Sequence, residues 1–124
     1  MIINCLIVGL GGALGALTRY GISIIVPHSL PIPTLIVNVV GSFILGYATT
    51  LLHNKRLSSE QMLFIGTGYC GGLTTMSTFS METFNLWHDF IPVAFFYVLS
   101  TSMLGLIAVL FGMKLGEGNR RIQS

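Results

Sequence analysis

Four stretches of mainly apolar residues leave this chain few folds, because about 20 such residues are what an α-helix needs to cross a bilayer. The first covers residues 2–26, the second 34–52, the third 62–90 and the fourth 92–113. Pro27, Pro31 and Pro33 end the first, since a proline ring cannot continue a helix. A polar run from His53 to Gln61 divides the second from the third, with Ser59 as a helix start. Pro92 suits the first turn of the fourth, and a polar tail occupies residues 114–124. Only 8% of residues are charged, against about 25% in a soluble domain. The fold expected is all-α: one membrane domain over residues 1–124. No basic segment precedes the first apolar stretch and no small-residue cleavage site follows it, so it reads as retained rather than as a removed signal peptide.

With four spans, the N-terminus, the central loop and the tail share one side. That side carries Lys55, Arg56, Lys114, Arg120 and Arg121, five of the six Lys and Arg residues. The bias predicts one insertion direction, in a cell membrane with both termini cytoplasmic. A net charge of +2 is too small for a surface that tracks phosphates, so no nucleic-acid partner is expected. Cys5 and Cys70 have neither zinc nor redox spacing and read as buried small hydrophobes. His28, His53 and His88 fall in loops or at interfaces. No Walker loop, zinc-protease motif or nucleophile elbow is present, so no enzyme is expected.

The third apolar stretch is interrupted. Gly66 to Glu82 holds four glycines and a dense run of hydroxyls. A break is expected near residues 71–79. Broken helix at membrane depth survives only inside protein or beside an aqueous cavity, and such breaks can present backbone groups to an ion. Met76 and Phe79, three apart, can form an apolar wall beside the hydroxyls of Ser77, Thr78, Ser80 and Thr83. A ring edge is positive and can touch an anion. Glu82 is the one carboxylate well inside a span. It can also cap the second half-helix or pair with Arg19.

Other polar residues stand out by position. Arg19, ending the first span beside Tyr20, is either a snorkelling anchor or a cation in a vestibule. Asn38 sits in mid-membrane sequence, where an amide needs a partner. It can bond another helix or offer its N–H groups to a partly dehydrated anion, with Thr34 and Ser42 nearby. The cluster Ser100-Thr-Ser102 follows Tyr97 on the fourth span and can face the same track. Gly11/Gly15 and Gly112/Gly116 have the spacing that lets helices approach closely, within one subunit or between two. Four short spans enclose too little for a pore alone, so an oligomer is expected.

Three motifs taken together resemble the Fluc (CrcB) fluoride channel family: Gly11-Gly-x-x-Gly-Ala-x-x-Arg-Tyr20, Thr34-Leu-x-Val-Asn-x-x-Gly-Ser-Phe43 and Gly68-x-x-Gly-Gly-x-Thr-Thr-x-Ser-Thr-Phe-Ser80. The resemblance covers nearly the whole chain. It implies an antiparallel dimer with two fluoride pores at the subunit interface, passive fluoride exit that protects the cell, and a central structural sodium ion. The sodium ligands it implies are the main-chain carbonyls of Gly71 and Thr74. It places the pore amide on Asn38, the pore phenylalanine positions on Met76 and Phe79, and the hydroxyl track and glutamate on Ser77, Thr78 and Glu82. Met76 departs from the family's usual Phe. With the one-sided cations, that departure suggests one half of a heterodimer, whose paralogous partner inserts oppositely; the rival is a homodimer that tolerates the bias.

Two other classes compete. A small multidrug-type exporter has similar size and span number, but resembles its relatives in a first-helix glutamate that this chain lacks. An accessory structural membrane subunit explains the glycines but not the hydroxyl-rich break.

Overall fold

The computed structural model describes residues 1–27 and 31–122, with side chains up to residue 118. His28, Gln123 and Ser124 lie outside the described residues, as do the side chains of Arg120 and Arg121. The chain is helical: α1 (Ile2–Ile25), α2 (Ile32–His53), α3 (Ser59–Met62), a π-helical segment (Leu63–Cys70), α4 (Gly71–Leu73), α5 (Ser77–Asp89) and α6 (Ile91–Ile122). No strand occurs among the described residues. Three helices are long and apolar enough to cross a membrane: Ile2–Ile25, Ile32–His53 and the Ile91–Gly118 part of α6.

Helix ends follow local chemistry. Pro33 sits in the first turn of α2, two residues earlier than the sequence suggested, because a first-turn proline needs no intrahelical N–H partner. α3 is capped by Ser58, not Ser59. The Ser58 hydroxyl accepts the Gln61 N–H at 3.1 Å, and the Gln61 side chain accepts the Ser58 N–H at 3.0 Å, a reciprocal capping box. α2 closes with Lys55 in the left-handed region at φ 62, while the Arg56 N–H bonds back to the Leu51 carbonyl at 2.9 Å. The largest difference is at the C-terminus. The expected end near Met113 gives way to a helix that runs to Ile122. A helix needs no apolar side chains to continue, and Gly112 and Gly116 hold this stretch against α2.

Most large apolar side chains point outward, among them Leu6, Leu10, Leu17, Phe96, Leu99, Met103 and Ile107. The buried positions are fewer and mostly small: Val37, Ala48, Cys70, Leu73, Ala94 and Ala108. That inversion suits a lipid solvent, where backbone proximity replaces a large core. α2 packs along α6, and α1 packs along the π-helical segment and α4. A Cβ on Gly11 would strike the Phe64 carbonyl, and one on Gly15 the Tyr69 carbonyl. Gly72 and Gly12 meet backbone to backbone. Gly112 lies on the Phe43 carbonyl, and Gly116 on Thr50. Both glycine pairs singled out by spacing therefore serve contacts within one chain. Cys70 is buried as expected, but Cys5 is exposed on α1.

Candidate functional site

The helix that begins at Ser59 stops at Leu73, and α5 starts at Ser77. The interruption is narrower than residues 71–79, because Gly71 and Gly72 remain helical. It starts where Thr74 turns extended, at φ −79 and ψ 156. Asn38 on α2 braces it. The Thr75 N–H donates to Asn38 Oδ1 at 2.8 Å, and Asn38 Nδ2 donates to the Thr75 carbonyl at 3.1 Å. One amide side chain thus satisfies both backbone groups of the residue at the break, as buried backbone requires. One N–H of Asn38 stays uncommitted by these bonds. Because Thr75 donates to Asn38, it does not donate back to the Gly71 carbonyl four residues earlier. The Thr75 hydroxyl accepts the Thr78 N–H at 3.2 Å and so satisfies one free donor in the first turn of α5, whose N-cap is Met76. The sequence reading missed Thr75, although a threonine just ahead of a helix is a start signal.

Two clefts flank this brace. The first, about 480 Å³, is lined by Arg19, Ser23, Thr34, Thr78, Glu82 and Asn85, among others. Thr78, Glu82 and Asn85 share one face of α5, at spacings of four and three. Arg19 is half-buried, and its Nη1 donates to the Thr74 carbonyl at 3.4 Å. Glu82 pairs with hydroxyls. Thr34 Oγ1 donates to Oε1 at 2.8 Å, and the Tyr97 hydroxyl donates to Oε2 at 2.7 Å. Thr34 and Tyr97 are buried. Glu82 is therefore tied to α2 and α6 together, a role beyond the cap or Arg19 partner that sequence suggested.

The second cleft, about 780 Å³, lies on the other side and holds Asn38, Ser42, Met76, Phe79, Thr101 and Ser102. Gly71 and Thr74 line it too, and Thr75 lines both clefts. Ser42 donates to the Asn38 carbonyl at 2.7 Å. Thr101 Oγ1 is buried without a partner among the described residues. Buried hydroxyls are usually paired, so this one is available to something in the groove. The Phe79 and Tyr97 ring centroids stand 5.2 Å apart, which couples the groove wall to the Glu82 clamp.

The hydroxyls of α5 do not form one line. Thr78 faces the first cleft, while Met76 and Phe79 face the second. Ser77 and Ser80 are exposed and line neither. Ser77 Oγ lies 3.3 Å from Thr75 Oγ1, and Thr83 bonds back to the Phe79 carbonyl at 2.8 Å. His88 packs edge-on against Phe84 with centroids 4.5 Å apart, outside both clefts.

The family model described as CrcB-like protein, Camphor Resistance (CrcB), matches residues 6–113. A Listeria monocytogenes relative named fluoride-specific ion channel FluC 1 is 44% identical over 121 residues, covering 94% of this chain and 99% of that one. Proteins named fluoride-specific ion channel FluC are 48% identical in Pyrococcus horikoshii, over 82% of this chain and 85% of theirs, and 46% identical in Methanocaldococcus jannaschii, over 90% and 93%. At such identity across nearly their whole length, this multi-pass membrane chain belongs to the CrcB-like family.

Proposed function

We propose that the chain is a fluoride-selective channel subunit, which lets fluoride leave the cell passively and so protects it from fluoride toxicity. The observation that carries this reading is the braced break. Asn38 holds Thr75 across it, and a polar groove opens beside it in an otherwise apolar chain. The relatives' names supply the ion. Fluoride is small and strongly hydrated, so a path for it must replace water with donors. The free N–H of Asn38 and the hydroxyls of Thr101 and Ser102 are such donors, and Met76 and Phe79 form the wall beside them. Several weak contacts in series let an ion leave as readily as it enters. Arg19 draws anions toward the first cleft. Glu82, both oxygens held by hydroxyls, is kept from the ion.

Residues 59–73 and α5 together make the remaining span, so the chain crosses the membrane four times with both termini cytoplasmic. Two chains pair antiparallel and close the open grooves into two pores. The one-sided Lys and Arg residues, and Met76 where the family has Phe, favour a paralogue of opposite orientation over a second copy of this chain. A structural sodium ion at the centre of the pair fits the donors present. The Gly71 carbonyl has no Thr75 amide on it, and the Thr74 carbonyl keeps one lone pair beside its contact with Arg19. Carbonyl oxygens at helix breaks suit sodium. Two from one chain are too few to enclose it, and a partner supplies the rest. A Cβ on Gly71 would meet nothing within 4 Å in the single chain, which leaves room for that partner.

The test is growth in fluoride medium of cells stripped of their own fluoride exporters. Expression of this chain with an oppositely biased paralogue restores growth. Failure to restore it in both the paired and the single expression would reject the function. Full protection by this chain alone would reject the heterodimer.

A further inference from the structure

Met76 forms part of the wall of the second cleft, and it brings to that wall a thioether whose redox chemistry conduction does not need. The residue is 73% exposed in the single chain, against 101% for the N-terminal Met1, 60% for Met81, 59% for Met103 and 37% for Met113. It lines the cleft with polar groups, Asn38, Ser42, Thr75, Thr101 and Ser102, and once that groove holds water it brings water-borne reagents to the sulfur. Its chain neighbours, Thr75 and Ser77, carry hydroxyls 3.3 Å apart. Methionine sulfur in reach of a peroxide is converted to sulfoxide, and dedicated reductases reverse the change.

We propose that Met76 is a reversible oxidation site that throttles the channel. The oxidant is hydrogen peroxide. A lone pair of the thioether attacks one peroxide oxygen, the O–O bond breaks, and an S–O bond forms. The other oxygen leaves with the proton as water. Methionine is oxidised by two electrons and the peroxide is reduced. The new oxygen is a strong acceptor. It draws on the hydroxyl donors of the groove and turns the negative end of the S–O dipole toward the path. An anion then meets fewer donors and a repulsive group. Expected slowing is about two- to tenfold, the factor by which one hydrogen bond of ordinary strength shifts an equilibrium.

This inference rests on the channel reading above, and the experiment separates the two. The protein is reconstituted in liposomes, treated with hydrogen peroxide, and divided between fluoride efflux and mass mapping of oxidised methionines. The expected result is Met76 oxidised ahead of Met81 and Met103, with efflux slowed two- to tenfold and recovered after methionine sulfoxide reductases of both epimer specificities. Met76→Leu protein, compared with itself before and after peroxide, keeps its own rate. Three results would overturn the proposal: Met76 unmodified while Met81 and Met103 are oxidised, efflux unchanged once Met76 is oxidised, or equal slowing in Met76→Leu. If untreated protein passes no fluoride, the channel reading falls, and the mass map still decides whether Met76 is the reactive sulfur.

Discussion

Asn38→Leu is the substitution that the structure reads most directly. Leucine has the same number and branching of side-chain heavy atoms as asparagine and suits a membrane helix, so the shape is kept, with somewhat bulkier methyl groups, and the amide is lost. Two hydrogen bonds disappear, the 2.8 Å bond from the Thr75 N–H and the 3.1 Å bond to its carbonyl. Each is worth about 1 kcal/mol net, and each backbone group left unpaired costs about 1–3 kcal/mol. The loss therefore lies between about 2 kcal/mol, if water or a rotated hydroxyl rescues Thr75, and about 6 kcal/mol if nothing does. Thr75→Val is the companion. It keeps the backbone brace and removes the hydroxyl that accepts the Thr78 N–H and contacts the exposed Ser77 hydroxyl, which costs about 0.5–2 kcal/mol. The assay is the fraction of protein that stays monodisperse on size exclusion after heating in detergent, followed to the midpoint for each variant. The predicted order is wild type, then Thr75→Val, then Asn38→Leu. An Asn38→Leu midpoint equal to that of wild type would refute the brace, as would one above that of Thr75→Val.

Other predictions rest on separate contacts. Tyr97→Phe keeps the ring against Phe79 but removes the hydroxyl from Glu82, and should lower stability by about 1.5–3 kcal/mol, discounted toward the lower end because Glu82 is only part-buried; equal melting of the two proteins would contradict the clamp. Gly72→Ala drives a Cβ into the Gly12 backbone and should abolish folded yield, whereas Gly71→Ala meets only open space within the chain. Gly71→Ala should thus fold yet lose pairing on size exclusion, and a normal assembly would speak against a partner at that surface. Lys55→Gly frees the φ 62 position from a side-chain penalty of about 1 kcal/mol and should raise the thermal midpoint.

Three of the spans were legible because each needs only composition and length. Their ends were less so, since α6 continues past its apolar part with nothing to stop it. Glycines misled the placement of the break. In this chain no glycine takes a positive φ among the described residues; Gly71 and Gly72 stay helical, and Gly72 is small because Gly12 lies against it. The break falls instead where Asn38 takes over the Thr75 amide from 37 residues away. Glu82 was visible as a misplaced charge, but its partner Thr34 lies 48 residues away on another helix. Alternation of hydroxyls along residues 77–83 suggested one track, yet helical periodicity sends Thr78 and Phe79 to opposite clefts. Asn38, Glu82, Tyr97 and Arg19, which stand out in the sequence by position, each hold a polar partner outside their own helix. Which groups they hold is a property of tertiary contact that no local pattern encodes.

The central claim is selective passive conduction of fluoride, and efflux from vesicles tests it most directly. Liposomes loaded with potassium fluoride and containing the purified chain, alone and with its paralogous partner, are diluted into fluoride-free buffer beside chloride-loaded vesicles. The account predicts fast fluoride release, no chloride release, and loss of the fluoride signal in Asn38→Leu protein. Chloride release at a comparable rate, or no fluoride release from either the single chain or the pair, would contradict it.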